Sequence, residues 1–346
     1  MVDMRAALAG VALSNPVLTA SGCAAAGREL NQFFDVSRLG AVVTKSIMPT
    51  ARSGRPTPRM AETPSGMLNS IGLQGPGVDA FIAHDLAWLA EHGVRTIVSI
   101  AGGHTDDFAL LARKLAGHPA VAALEVNISC PNVESRGQVF ACDALASARV
   151  IGAVRRAADP AQPIFAKLSP DVTDIAHIAR ACADSGVDGF SLINTLLGMV
   201  IDTDTLAPAL GGVTGGLSGP AIRPVAVRCV WQVRRALPHL PIIGMGGIRD
   251  GLDALQFVLA GASAVSVGTA MFGDPSAPVR VLAELEAALA ERGFDSLADA
   301  VGFAHLDADR RPARQAGQAR ETGQTGQTGQ TGQAGLAPAA AEAAAS

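Results

Sequence analysis

Eight short apolar runs recur between residues 17 and 268, and nearly every interval between them is long enough for a helix. The runs cover 17–20, 41–45, 96–100, 124–129, 164–168, 189–194, 242–245 and 264–268. They are continuous rather than alternating, which is how strands buried on both faces of a parallel sheet read. Several intervals carry helix punctuation. Thr105 precedes Asp106 and Asp107, then Phe108, Leu111 and Leu115 on one face, with Gly117 as a stop. Thr173 opens a run through Ile175, Ile178 and Cys182 that ends at Gly186, and Asp250 opens one that ends at Gly261. Side-chain oxygens at such starts satisfy free helix N–H groups, and glycine at such ends accepts positive φ. Eight strand–helix units predict a closed (β/α)8 barrel of the α/β class; an open doubly wound sheet is the alternative.

Composition supports a large packed core: 49% of the 346 residues are hydrophobic and 17% charged. A net charge of −4 and the lack of any Tyr argue against nucleic-acid and polybasic membrane-surface binding. No run of 18 apolar residues occurs, so no spanning helix is expected. Arg5, the apolar stretch 6–13 and Ala-Ser-Gly-Cys at 20–23 imitate a lipoprotein signal, but Ser14-Asn15-Pro16 interrupts it. The five cysteines, at 23, 130, 142, 182 and 229, form no Cys-x-x-Cys, so no metal site is expected, and reduced thiols fit a cytoplasmic enzyme. From Arg310 onward, apolar residues larger than Ala almost vanish and four Thr-Gly-Gln triplets fill 322–333. The expected division is a catalytic barrel over 1–309 and a low-complexity disordered tail over 310–346.

Barrels of this kind carry their chemistry at the carboxyl ends of the strands. Those ends read Ser21, Lys45, Ser99, Asn127, Lys167, Asn194, Gly246 and Gly268. The last two strands run into Gly244-Met245-Gly246-Gly247 and Gly268-Thr269, where backbone N–H groups can meet a phosphate. Gly215-Gly216-Leu217-Ser218-Gly219-Pro220, with Pro224, adds a helix start beside them. No dinucleotide or nucleotide-triphosphate loop is present, since Arg249 stands where a third glycine would fall. A phosphorylated cofactor such as FMN and a sugar-phosphate substrate both remain. Cys130 lies in Asn127-Ile128-Ser129-Cys130-Pro131-Asn132, where a thiolate could act as base or nucleophile and asparagines could hold a flat heterocycle. Cys182 and Cys229 read as small buried hydrophobes. Lys45 and Lys167 each close an apolar strand. They suit an aldolase-type Schiff base or a cation facing a reduced flavin, and the accompanying Cys and Asn favour the flavin.

These segments resemble the dihydroorotate dehydrogenase family over about residues 10–305. The resemblance includes Ala20-Ser21-Gly22-Cys23, Thr44-Lys45-Ser46, Pro56-Thr57-Pro58-Arg59, Asn69-Ser70-Ile71-Gly72-Leu73-Gln74, the Asn127–Asn132 segment, Lys167-Leu168-Ser169-Pro170, Asn194-Thr195, Gly216–Pro220 and Gly244–Gly247. Cys130, where quinone-using members carry Ser, and Asn194-Thr195-Leu196-Leu197-Gly198-Met199 with Met245 point to class 1B, the NAD-linked catalytic subunits. The resemblance implies one FMN held by Ser21, Lys45, Ser46, Ser99, Asn127, Lys167, Ile193, Gly219, Gly246, Gly247, Gly268 and Thr269. It implies a pyrimidine held by Lys45, Asn69, Ser70, Ile71, Gly72, Leu73, Asn127, Asn194 and Thr195. Cys130 would be the general base, with Lys45 and Lys167 assisting and the loop 131–142 closing over substrate. It further implies de novo pyrimidine synthesis, with a homodimer inside a heterotetramer whose electron-transfer subunit carries FAD and a [2Fe–2S] cluster. Ser99 and Gly75 depart from the pattern, since Asn is common at both positions. The competing readings are a fumarate-reducing class 1A enzyme, a flavoprotein acting on dihydrouracil, a sugar-phosphate aldolase using Lys167, and a barrel that only binds FMN.

Overall fold

The structure is a computed structural model that describes residues 1–129, 131–132 and 138–306. Cys130, residues 133–137 of the loop 131–142 and the expected tail 310–346, with its boundary at 309, lie outside the described residues. All eight apolar runs are parallel strands: β1 (Val17–Thr19), β2 (Val42–Val43), β3 (Thr96–Ile100), β4 (Val121–Asn127), β5 (Ile164–Leu168), β6 (Gly189–Leu192), β7 (Ile242–Met245) and β8 (Ala264–Val267). They pair in chain order from β2 round to β8, and β8 pairs with β1. A bridge between Leu18 and Ala41 closes the ring between β1 and β2. The doubly wound alternative is thereby excluded.

Five strands differ from the expected runs at their ends, for a physical reason. Past the last ladder rung the N–H groups turn to other acceptors: Lys45 N donates to Ala25 O at 2.9 Å and Asn194 N to Leu168 O at 2.8 Å. The polar residues that follow each run therefore leave the sheet and form its rim. β4 also begins three residues early, at Val121.

Helices wrap the ring: α1 (78–91), α2 (Thr105–Leu115), α3 (Ala144–Ala157), α4 (Ile175–Asp184), α5 (Arg223–Ala236), α6 (Gly251–Ala260) and α7 (Ala277–Glu291). Only short 3-10 turns, Leu30–Gln32 and Val36–Arg38, join β1 to β2. Each long helix buries one apolar stripe, as with Phe108, Leu111 and Leu115 of α2. Asp250 caps α6 and Gly261 ends it at φ +116°, as the punctuation predicts. The start of α4 is corrected by one residue. Asp174, not Thr173, is the cap, and its Oδ1 accepts from Ala176 N at 2.9 Å and His177 N at 3.2 Å. Thr105 likewise proves to be the first residue of α2, and Asp107 Oδ2 accepts from His104 N at 3.1 Å.

The signal-like N-terminus is structural. Ala6–Leu8 and Val11–Leu13 form an antiparallel hairpin. Leu8 and Leu13 pack with Leu18, Val43, Phe165 and Ile243 to plug the amino-terminal floor of the barrel. Asn15, which breaks the apolar stretch, anchors the start of β1. Its amide donates to Arg38 O at 2.8 Å, and its carbonyl accepts from Val17 N and Gly40 N. Among the described residues, no helix is long and apolar enough to cross a membrane.

The corrected cap gives a direct comparison. Asp174→Ala should cost about 1 kcal/mol in urea unfolding, through loss of the oxygen that accepts from two helix N–H groups, whereas Thr173→Ala should stay within about 0.5 kcal/mol.

Candidate active site

The strand ends are tied into one hydrogen-bonded rim. The Ser21 and Ser46 hydroxyls meet at 3.3 Å, and Ser46 and Ser99 at 3.0 Å. Asn127 Nδ2 donates to Ser46 Oγ at 3.0 Å, and Asn194 Nδ2 donates to Asn127 Oδ1 at 3.1 Å. This chain runs from β1 through β2, β3 and β4 to the end of β6. Each asparagine is oriented by a second bond: Ser129 N donates to Asn127 Oδ1, and Thr195 N to Asn194 Oδ1. Ser99 is fully buried and reaches the rim only through Ser46, with its own N–H on Thr44 Oγ1.

A small antiparallel sheet carries or adjoins the remaining residues expected to hold the pyrimidine. Its strands are 196–198, 215–218, 66–69 and 60–63. In its register Asn69 stands opposite Gly216, and Asn69 Nδ2 donates to Gly216 O at 3.2 Å. A side chain at Gly216 would overlap the Thr195 hydroxyl, so glycine is what lets Thr195 and Asn69 share this corner. Asn69, Thr195, Asn194 and Asn127 are thus brought together. Ser70 is not: its hydroxyl turns away and accepts from Arg55 Nη1 at 3.2 Å. The Ile71 carbonyl accepts from Arg55 N, and a Cβ on Gly72 would strike Arg55, so this stretch packs on the 54–55 loop.

The glycine loops converge on the other side. Gly246 and Gly247 have φ of +129° and +77°. A Cβ on Gly247 would lie 2.6 Å from Gly219 O, so the two loops touch backbone to backbone. Thr269 Oγ1 donates to Ser218 Oγ at 2.8 Å, which brings in the loop after β8. Ile193 N donates to Met245 O, holding the ends of β6 and β7 together. Below these loops the buried Asp253 of α6 pairs with Arg223 of α5 and accepts from Arg249 N at 3.1 Å. One carboxylate therefore fastens the helix start after Gly219 to the loop after Gly247. The sequence reading missed Asp253 and Arg223, because nothing in their spacing signals that two different helices share an ion pair.

Both lysines lie where the strand ends predict. A Cβ on Gly22 would sit 3.4 Å from Lys45 Nζ. Lys167 is 4% exposed, and its Nζ lies 3.5 Å from Oε1 of Glu125, which is 0% exposed. Glu125 was also missed. Its signal is a lone charge inside the apolar run of β4, two residues before Asn127 and on the same face. Cys23 borders this group, with Sγ 3.3 Å from where a Gly268 Cβ would be. Burial pushes its thiol up, against the opposing pull of Lys167 and Lys45. Burial likewise pushes Cys182 up to about 12 and raises Cys229, in keeping with inert core thiols. Cys130, the expected base, lies outside the described residues. Among those described, no cluster of His, Cys, Asp or Glu could hold a metal ion.

An amide- and hydroxyl-lined rim, glycine loops with free backbone, and two lysines at one barrel mouth define a class. This is a (β/α)8 barrel whose polar groups and glycine loops gather at the carboxyl-terminal mouth. The dihydroorotate dehydrogenase family model matches residues 4–289, and the chain belongs to that family. A Pelobacter propionicus protein named dihydroorotate dehydrogenase B (NAD(+)), catalytic subunit is 51% identical over 300 residues, covering 87% of this chain and 98% of its own length. A protein of the same name from Desulforudis audaxviator is 51% identical over 304 residues, covering 88% and 98%. One from Geobacter sp. strain M21 is 48% identical over 304 residues, covering 88% and 99%.

Gly247→Ala should destabilise the fold by more than about 1 kcal/mol, because it adds a backbone clash at positive φ. Gly75→Ala, where a Cβ meets nothing within 4 Å, should stay within about 0.5 kcal/mol. Thermal unfolding followed by circular dichroism separates the two.

Proposed function

We propose that the chain is the catalytic subunit of an NAD-linked dihydroorotate dehydrogenase, oxidising dihydroorotate to orotate in pyrimidine biosynthesis with FMN bound in the barrel mouth. The observation that carries this reading is the continuous Ser21–Ser46–Asn127–Asn194 rim between the glycine loops and the Asn69–Thr195 corner. It provides a heterocycle site and a substrate site that share Asn127.

The residues fit FMN. Glycines at 22, 246, 247 and 268 let the rim loops pack tightly on Lys45, Ala226, Gly219 and Ala20, and such closely packed loops suit a narrow site for a planar ring and its phosphate. Gly219, Gly247 and Thr269 converge beside the start of the helical segment at Pro220, which suits a phosphate. Bound FMN would accept the hydride leaving C6 of the substrate. Cys130 would take the proton from C5. A free thiol titrates near pH 8.5, so a modest local shift makes it a base near neutrality. Lys167 would offset negative charge that develops at the hydride acceptor, and Lys45 would meet both ring systems. Asn69, Asn127 and Asn194 would orient the pyrimidine through its amides. An aldolase reading leaves Asn127 and Asn194, bonded to each other, without a role.

Purified protein should be yellow, and a colourless chain that takes up no flavin on reconstitution would sink the cofactor assignment. Cys130→Ser should retain FMN while slowing its reduction by dihydroorotate on the order of 10²–10⁴-fold at pH 7. The rate should recover as pH rises, since a hydroxyl needs a stronger base to lose its proton. Stopped-flow absorbance measures both effects, and an unchanged rate at pH 7 would remove Cys130 from the mechanism.

NAD requires a carrier, because the sequence has no dinucleotide fingerprint. The reading therefore includes an electron-transfer subunit with FAD and a [2Fe–2S] cluster, assembled around a dimer of barrels. Exposed apolar side chains support the dimer: Leu197, Met199, Ile201, Leu206 and Val213 all stand out from the excursion between β6 and α5, Leu206 at 82% exposure. The isolated chain should oxidise dihydroorotate with artificial acceptors yet barely reduce NAD, and co-expression with the electron-transfer subunit should restore NAD reduction. Efficient fumarate reduction by the single chain would move it to the fumarate-linked class. Leu206→Glu should shift the barrel toward monomer in sedimentation velocity.

A further inference from the structure

Glu125 is a buried charge beside the mouth that the proposed reaction does not use. It projects from the middle of β4, beside Ser99 of β3 and Phe165 of β5 in the ladder register. It is completely buried, and neither carboxylate oxygen has a hydrogen-bond partner. Its contact is the ion pair with Lys167 at 3.5 Å. A carboxylate this deep, without hydrogen bonds, is costly unless an opposite charge balances it. Lys167 would stand under the same burden without Glu125. Cys23 is close enough that Lys167 and Lys45 both act on its thiol. The Cys23 thiol, pushed up by burial, stays neutral near neutral pH and supplies no negative charge. Among the described residues, Glu125 is therefore the carboxylate that balances Lys167.

We propose that Glu125 is a positioning and charge-balancing residue: it holds the Lys167 ammonium at the mouth and lowers the positive potential that Lys167 presents to a bound flavin. The inference rests on the FMN reading above. A lysine facing the flavin without a counter-charge favours the reduced, more negative form strongly. Such a flavin would accept electrons readily and release them poorly. A buried carboxylate directly behind the ammonium weakens that bias, and in this low-dielectric layer its field is only partly screened. The pair thus keeps a lysine where hydride transfer needs it while leaving the flavin able to pass electrons onward.

The test is the reduction potential of flavin in the full-length holoprotein, measured by spectroelectrochemical titration, together with the affinity for oxidised FMN. Glu125→Gln keeps the shape and removes the charge. It should raise the ratio of reduced to oxidised FMN affinity at least tenfold, which is about 30 mV upward for a two-electron couple. Glu125→Asp keeps the charge and should stay within about threefold of the wild type, although it disturbs packing more. An unchanged or lowered potential in Glu125→Gln, or the same rise in Glu125→Asp, overturns the proposal, because a purely structural role follows packing and not charge. Should Glu125→Gln not fold, the neutral and similarly sized Glu125→Met protein is compared with the wild type. The same upward shift is expected, and its absence overturns the proposal. Wild-type protein that binds no FMN would defeat the cofactor reading itself, a result distinct from FMN-loaded variants that share one potential.

Discussion

Closing eight parallel strands into a ring sends every carboxyl end to the same rim, and the rest of this molecule follows from that constraint. The side chains just past each strand can no longer pair with a neighbouring ladder, and they are too close together to ignore one another. Here they are small and polar, so they bond sideways. Ser21, Ser46, Ser99, Asn127 and Asn194 form a single connected chain across five strand ends. Such a network is costly when half satisfied and rigid when complete. Its rigidity fixes the orientation of the short side chains that line the mouth.

Two buried carboxylates support this rim from beneath, on opposite sides. Asp253 joins the starts of two helical segments, so the glycine loops above them keep a fixed separation. Glu125 stands behind Lys167, inside the barrel. Neither carboxylate lies at a strand end, and each acts on the mouth through a cation. The chain thus places directional groups at the surface of the site and balances their charges one layer below, where water does not compete.

The elements that the sequence reading located well are those governed by local pattern. β3, β5 and β7 match their expected runs residue for residue, because strands buried on both faces show as unbroken apolar stretches bounded by polar residues. The cap at Asp250 and the stop at Gly261 were equally plain. At α4 the sequence reading starts the helix from Thr173, whereas Asp174 is the cap: either oxygen could serve, and only backbone geometry selects between them. The apolar stretch 6–13 was ambiguous for a related reason. Short apolar runs look alike whether they form a leader or, as here, a hairpin, and packing of Leu8 and Leu13 under the barrel distinguishes them.

What the sequence by itself determined is which residues stand at the rim: a polar residue ending an apolar parallel strand has nowhere else to go. What only the tertiary structure decided is which of them meet. Asn69 bonds to Gly216 across 147 positions of chain, and Thr195 fits there only because residue 216 lacks a side chain. The buried Ser99 hydroxyl meets that of Ser46, 53 positions away in the chain. Glu125 pairs with Lys167 because neighbouring strands place them on the same inward face. These partnerships depend on ring closure and strand register, which set distances between residues far apart in the chain, and no local pattern of residue types encodes such distances.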